Sequence, residues 1–107
     1  MPVPPVLTPE DRAAALEKAA RARRERSEVK TSLKHGTTTL PDVIKQGTTD
    51  AVIGKMRVTE LLEAMPGVGK VNRTEIMGRL GIAGSRRVRG LGDRQRAALE
   101  AEFPAAA

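Results

Sequence analysis

The sequence has 107 residues, close to the commonest length of a single domain. It contains one aromatic residue, Phe103, and no cysteine, which excludes disulfides, thiolate metal sites and a platform of stacked rings. The formal net charge is +6, and the stretch 66–99 alone holds eight Lys and Arg against two Asp and Glu. Such a local excess is typical of a surface that binds a polyanion. A charged coat that serves only solubility is the alternative.

The chain offers little for metal binding, secretion or membrane insertion. His35 is its one histidine, and zinc sites need three or four protein ligands. The first residues lack the basic and apolar regions of a signal peptide, and no window is apolar for long enough to span a bilayer. We therefore expect a cytoplasmic protein with no metal, no cofactor, no small-molecule substrate and no membrane contact.

The first predicted element is a long helix. Residues 1–7 are rich in proline and are expected to form a disordered tail. Thr8 is a favourable N-cap with Pro9 at the first helical position, and no helix breaker follows before Gly36, a favourable C-cap. The sequence thus predicts a long N-terminal helix over residues 8–35, roughly 40 Å in length.

One face of this helix carries basic side chains three or four residues apart: Arg23, Arg26, Lys30 and Lys34. Residues at this spacing lie one above the other on a helix. The row is a candidate for secondary contacts with a nucleic-acid backbone. A helix kept soluble by its charges explains the row equally well.

The remaining residues, 36–103, are predicted to form a compact helical body, and residues 104–107 are expected to fray. Leu, Ile, Val and Met recur at helical spacing, and no segment alternates as a strand would. Short helices are predicted over about 40–45, 51–53, 59–65, 70–80 and 93–102, the last one capped by Asp93. The predicted fold class is therefore all-α.

A glycine-rich turn at residues 65–70 separates two of these helices. Gly67 and Gly69 allow a tight bend and a close approach of the backbone to a ligand. The helix that follows presents free amides and the positive end of its dipole, and Lys70 adds a full charge. This arrangement suits a nucleic-acid phosphate. It is not a Walker A loop, because Val71 stands where that motif needs Ser or Thr.

A second basic element is the glycine and arginine loop at residues 84–92. Its Arg86, Arg87 and Arg89 carry planar forks that bind phosphates or guanine edges and enter narrow minor grooves. Because the chain lacks aromatic residues for stacking on single-stranded bases, double-stranded DNA is the favoured partner. A loop that is merely flexible is the alternative. The other candidate DNA contacts are Lys55, Gly90 and Arg94.

The turn resembles that of the helix-hairpin-helix family, in which a glycine turn binds a duplex phosphate through backbone amides. The matching residues are Gly67, Val68, Gly69 and Ile76. Arg73 departs from the pattern, because that family usually has a small residue there for close helix packing. A helix-two-turn-helix variant is therefore the alternative geometry.

From about Leu7 to Phe103 the chain resembles the actinobacterial integration host factor family. The resemblance rests on residues 12–19, 54–56, 61–63, 66–70 and 86–92. It implies a nucleoid-associated protein with a long N-terminal helix and a helix-two-turn-helix body. It further implies binding and bending of duplex DNA with little sequence preference, in support of chromosome organisation and phage integration. No apolar seam indicates a dimer, so we expect a monomer.

Two other functions remain as alternatives. The body also resembles the helix-two-turn-helix part of a small-subunit ribosomal protein that binds ribosomal RNA, although such proteins usually have a longer basic tail. Some DNA glycosylases combine this motif with an N-terminal proline nucleophile, and Pro2 would become terminal if Met1 were removed. No glutamate follows Pro2, and the β domain and zinc-finger cysteines of those enzymes are lacking. We therefore expect no enzymatic activity.

Overall fold

The computed structural model describes residues 8–104, and within them the protein is helical. The α-helices are α1 (Pro9–His35), α2 (Leu40–Gln46), α3 (Ala51–Gly54), α4 (Val58–Ala64), α5 (Lys70–Arg79) and α6 (Asp93–Glu102), and a 3-10 turn at Val88–Gly90 precedes α6. Residues 8–104 contain no strand, only an isolated antiparallel bridge between Arg57 and Arg87. The all-α prediction is confirmed. The expectations for residues 1–7 and 105–107 lie outside the described residues.

The ends of α1 are those that the sequence predicts. At the start, the Thr8 hydroxyl accepts a hydrogen bond from the Asp11 N–H (3.1 Å), and the Asp11 carboxylate accepts one from the Thr8 N–H (3.2 Å). At the end, Gly36 adopts a left-handed conformation with φ of +72°, and its N–H donates to the Leu33 carbonyl (3.2 Å). The 27 residues between these caps form a rod of about 40 Å.

Only the C-terminal part of α1 packs against the body. Residues 8–19 are exposed throughout, whereas Leu33 is buried and Val29 packs partly against the core. This part of the helix contacts α3 and α4. The molecule is consequently elongated, with extents of 53 × 32 × 26 Å. Across residues 8–104, no helix combines the length and the apolar character that crossing a membrane requires.

The core is aliphatic, as the composition requires. Leu62 and Leu99 are completely buried, so α4 and α6 both contribute to its centre, and Phe103 packs at its edge. No polar or charged side chain is buried in the part of the chain that the structure describes. The buried side chains are Leu33, Leu40, Val43, Ile44, Ile53, Met56, Val58, Leu61, Leu62, Met77, Ile82, Val88 and Leu99.

The predicted cap of the last helix was wrong by one residue. Gly92, not Asp93, is the N-cap of α6, and its N–H donates to the side-chain oxygen of Gln95 (3.1 Å). Gln95 reaches back to the cap as glutamine at this position commonly does. Asp93 is the first helical residue, where its carboxylate still favours the positive end of the helix dipole.

An acidic contact links α1 to the start of α3. Asp50 caps α3 by accepting hydrogen bonds from the N–H groups of Val52 (2.8 Å) and Ile53 (3.2 Å). A side-chain hydrogen bond with Asp50 raises the pKa of Glu25 on α1, and partial burial raises it further. The same hydrogen bond lowers the pKa of Asp50. The contact therefore favours the protonated form of Glu25 and the charged form of Asp50.

Candidate nucleic-acid interface

The turn between α4 and α5 is exposed and depends on a glycine conformation. Gly67 has a φ of +77°, which L side chains rarely adopt. The Asn72 side-chain amide donates to the Gly67 carbonyl (3.3 Å), and the Val68 N–H donates to the Met65 carbonyl (3.2 Å). Apart from its two chain neighbours, no residue among 8–104 has an atom within 4 Å of the position that a Cβ would take at Gly67. Glycine is therefore required here by the backbone conformation and not by close packing.

The amides at the start of α5 lack a side-chain cap. Gly69 is the N-cap, and no side chain bonds the first turn. The first helical hydrogen bond runs from the Arg73 N–H to the Gly69 carbonyl (2.9 Å), so the preceding amides need partners from outside the helix. Lys70, the first helical residue, is exposed beside them. Amides without a side-chain cap, the helix dipole and an ammonium group are together suited to binding an anion.

Arg73, which departs from the helix-hairpin-helix pattern, forms an ion pair. Its guanidinium pairs with the carboxylate of Glu63 on α4, and both side chains are partly exposed. Ile76 and Met77 on the same side of α5 pack into the core. The two helices are thus joined by an ion pair where the helix-hairpin-helix pattern has a small residue.

The last two turns of α1 border the glycine turn. A recess between them is lined by Lys30, Thr31, Lys34, Glu63, Ala64, Met65, Pro66 and Gly67. Lys30 and Lys34 are exposed, so two members of the predicted basic row add positive charge next to Gly67. Arg23 and Arg26 do not line this recess, and Arg26 is half-buried.

The arginine loop is held against the start of α4. The Arg86 carbonyl accepts from the Val58 N–H (3.0 Å), and the Val88 N–H donates to the Met56 carbonyl (2.9 Å). The Arg87 guanidinium donates to the Lys55 carbonyl (2.6 Å). These bonds hold the backbone on both sides of Arg87 against the residues that precede and begin α4.

Two glycines that sequence reasoning did not single out make this contact possible. A Cβ at Gly47 would stand 2.6 Å from a methyl of Val88, and one at Gly54 would stand 2.7 Å from the Gly47 carbonyl. Val88 is buried against Gly47, although arginines flank it on both sides. The sequence signal for this packing is that Val88 is a single apolar residue between two arginines, a pattern that indicates an inward-pointing side chain.

The loop and the segment before α4 combine into one basic surface, which we call the arginine cluster: Lys55, Arg57, Arg86, Arg87 and Arg89. All five side chains are exposed. The ion pairs found within residues 8–104 join Arg73 to Glu63 and Arg79 to Glu102, so neither one neutralises a member of the cluster. Sequence reasoning missed Arg57, which joins the cluster through its bridge to Arg87.

Two further candidate residues border the cluster or follow it. The Gly90 carbonyl accepts a hydrogen bond from the Arg86 guanidinium (3.1 Å), so Gly90 orients that side chain through its backbone. Arg94 is exposed in the first turn of α6.

The glycine turn and the arginine cluster lie at opposite ends of α4. The N–H of Val58, its first residue, bonds to the arginine loop, and its last residue, Ala64, leads into the turn. A helix of seven residues separates its ends by about 10 Å. This distance falls between the widths of the minor and major grooves of B-DNA, about 6 and 12 Å. The two basic elements are therefore spaced on the scale of a DNA groove.

Comparison with known proteins agrees with this geometry. Residues 33–103 match the family model of the S13-like H2TH domain, which confirms the helix-two-turn-helix body. The chain is 66% identical over 103 residues to the integration host factor of Streptomyces coelicolor, covering 96% of this chain and 95% of that protein. It is 60% identical over 102 residues to the integration host factor of Mycobacterium tuberculosis, covering 95% and 97%.

One solved structure is also similar. It is the structure of sIHF bound to an 8-bp palindromic DNA, with a TM-score of 0.80 and 64% sequence identity, and the match covers 81% of this chain and 98% of that one. Whole-chain identity of this order, on the same arrangement of helices, identifies the family. The chain belongs to the actinobacterial integration host factor family.

Proposed function

We propose that this protein is an architectural protein that binds and bends double-stranded DNA with little sequence preference, and that it supports chromosome organisation and phage integration. The observation that carries the proposal is the pair of exposed basic elements at the two ends of α4. A relative with 64% identity in complex with DNA supports it. The proposed contacts are Lys55, Arg57, Gly67, Gly69, Lys70, Arg86, Arg87, Arg89, Gly90 and Arg94, with Lys30 and Lys34 beside the turn.

The glycine turn would hold a phosphate. The amides at the start of α5 have no side-chain cap and lie next to the exposed Lys70. Hydrogen bonds from such amides to a charged oxygen are shorter and stronger than neutral ones. Lys30 and Lys34, across the recess from Gly67, would bind the next phosphates along the strand. Of the predicted row on α1, Arg23 and Arg26 are left as more distant contacts.

The arginine cluster would contact the duplex about 10 Å away, on the other side of a groove. Because the loop is already held by Lys55, Met56 and Val58, little backbone entropy is lost when it binds. Contacts to phosphates fix position without reading the sequence. A surface made of amides, lysines and arginines therefore gives affinity with little base preference.

Contacts at both ends of a short helix favour a curved duplex. Bending a site of 20–30 bp costs on the order of 1–6 kcal/mol, and each hydrogen bond to a charged group returns roughly 1.5–3 kcal/mol. Two or three such bonds offset the cost. The protein would act in the nucleoid as a monomer, and the proposed role requires no catalysis.

The decisive test is the salt dependence of binding to duplexes of random and defined sequence. If about five phosphates are neutralised, the plot of log affinity against log salt has a slope near −4 to −5. A circular-permutation assay on the same duplexes measures the bend. A slope close to zero would reject the electrostatic interface.

Ribosomal RNA binding is the second candidate, because the matching family model is described as S13-like. The two functions are distinguished by applying one preparation to duplex DNA and to small ribosomal subunits at the same salt concentration. Salt-dependent retention on DNA without co-sedimentation with subunits supports the DNA-binding function, and the reverse result supports the ribosomal one.

A further inference from the structure

Val71 is an exposed apolar residue inside the proposed interface. Its side chain is 79% exposed, compared with 69% for Leu16, the other large exposed apolar residue of the described chain. Single apolar residues on a surface are ordinary, so exposure alone carries no meaning. The location of Val71 is what distinguishes it, because it follows Lys70 in the uncapped first turn of α5.

The folding of this chain does not account for a valine at this position. Valine is a poorer helix former than alanine, leucine, lysine or arginine, and this one buries almost none of its surface. In a helix, however, a valine side chain is confined almost entirely to one χ1 rotamer. Val71 therefore presents two methyl groups in a fixed direction, with little side-chain entropy to lose on contact.

The surroundings of Val71 select the chemistry of what it contacts. A shallow recess is lined by Lys70, Val71, Thr74 and Glu75. Lys70 attracts a phosphate, and Glu75, one turn further along α5, repels one. The Thr74 hydroxyl already donates to the Lys70 carbonyl (2.9 Å). The group that suits Val71 is a neutral, largely apolar part of a nucleotide next to a phosphate, such as the deoxyribose or a base edge.

We propose that Val71 is a wedge that enters the minor groove beside the phosphate held by the glycine turn, and that it contributes to the bend. The inference rests on the proposed DNA-binding function. Apolar side chains that insert at base steps in the minor groove unstack them partially and kink the duplex by roughly 20–90°. The backbone amides and Lys70 supply the attraction, and Val71 converts part of it into deformation of the DNA.

The test is the variant Val71→Ala. It should fold, because the residue is exposed and alanine favours the helix. We expect the bend angle in a circular-permutation assay to fall by roughly 20° or more, and affinity to fall roughly two- to tenfold through lost apolar contact. The salt slope should not change, because no charge is removed. Val71→Ile should retain the bend, and the control Leu16→Ala should match the unmodified protein.

The outcomes separate this inference from the function on which it rests. An unchanged bend in Val71→Ala, with a steep salt slope for every variant, overturns the wedge and leaves DNA binding in place. A flat salt slope for the unmodified protein overturns the proposed function and the wedge together. Self-association in sedimentation that Val71→Ala abolishes would assign the residue to a contact between copies of this chain, and would also overturn the wedge.

Discussion

The glycine turn and the arginine cluster present positive charge in two different ways. The turn offers backbone amides, and their direction depends on the left-handed conformation of Gly67. The cluster offers side chains, and their position depends on a backbone held by Met56 and Val58. The proposed binding surface thus depends on backbone conformation at one end of α4 and on charged side chains at the other.

This difference determines what a substitution does at each end. In the turn, a change that leaves the charge untouched should weaken binding if it alters the backbone. In the cluster, a change of charge should weaken binding while the backbone stays in place, because the buried Val88 holds the loop. The substitutions below test this contrast, from the largest expected effect to the smallest.

Replacement of Arg86, Arg87 and Arg89 together by alanine should have the largest effect. We expect at least a tenfold loss of affinity, with a salt slope smaller by about three if each arginine neutralises one phosphate. Helical circular dichroism should be retained, because Val88 and its backbone bonds remain. A triple lysine variant is the control, since it keeps the charge but loses the planar forks. Unchanged binding by the alanine variant would place the interface elsewhere.

Gly67→Ala tests the turn through conformation alone. A left-handed φ costs an L residue roughly 1–2 kcal/mol, and no neighbouring atom would clash with the new methyl group. Stability should fall by that amount, roughly five- to thirtyfold in the folding equilibrium constant, and affinity should fall by up to about tenfold. Gly78→Ala is the matched control, because it lies within α5 with open space around it and should stabilise the helix by up to about 1 kcal/mol. Equal effects of the two substitutions would contradict the dependence of the turn on the left-handed conformation of Gly67.

The double substitution Lys30→Gln and Lys34→Gln tests whether the end of α1 extends the turn. We expect the salt slope to decrease by about two and affinity to fall several-fold across all sequences. The control is Arg12→Gln with Lys18→Gln, which removes the same charge from the exposed outer part of α1. If the control loses as much as the test pair, the rod attracts DNA along its whole length and the recess has no special role.

Glu25→Gln should have the smallest effect, on stability and not on binding. The pKa of Glu25 is raised above its ordinary value of 4.5 by its hydrogen bond with Asp50. A protonated Glu25 therefore stabilises the fold below pH 4.5, and this contribution is lost as the pH rises through the raised pKa. At neutral pH two negative charges in contact are unfavourable. The free energy of unfolding of the variant should therefore be higher, by less than ~1 kcal/mol, and its melting temperature should rise.

Melting curves at pH 4 and pH 7 check the sign of this effect. The gain from glutamine should be present at pH 7 and should vanish at pH 4, where the carboxyl group itself donates to Asp50. A gain that is the same at both values would show that the charge of Glu25 is irrelevant to how α1 packs on α3.

Much of the fold could be predicted because its signals are local. Thr8 and Gly36 define the ends of α1 from sequence alone, and apolar residues at helical spacing give the helices of the body. The error at Asp93 has a local cause as well. Gly92 has no side chain to cap the helix, and the capping hydrogen bond comes instead from Gln95, three residues later. Aspartate is a more common N-cap than glycine, so the sequence favours Asp93.

The candidate site could be predicted only in part. A positive φ at Gly67 and three neighbouring arginines follow from residue type. The support of the arginine loop does not, because it needs Val88 to lie against Gly47 and Arg89 to lie against Gly54, and these glycines are more than thirty residues earlier in the chain. Arg57 enters the cluster through the same long-range pairing. Composition thus predicts which charges belong to the candidate site, and only packing shows how they are held.

The exposed N-terminal part of α1 determines where the molecule begins to unfold. Residues 8–19 are exposed throughout, and a helix of that length is marginal in water without tertiary support. Warming should therefore fray α1 from its start while the aliphatic centre stays intact. The molecule then behaves as a rigid helical body with an exposed helix attached. The helical content of that exposed part depends on its N-cap, on its many alanines and on any molecule that binds to it.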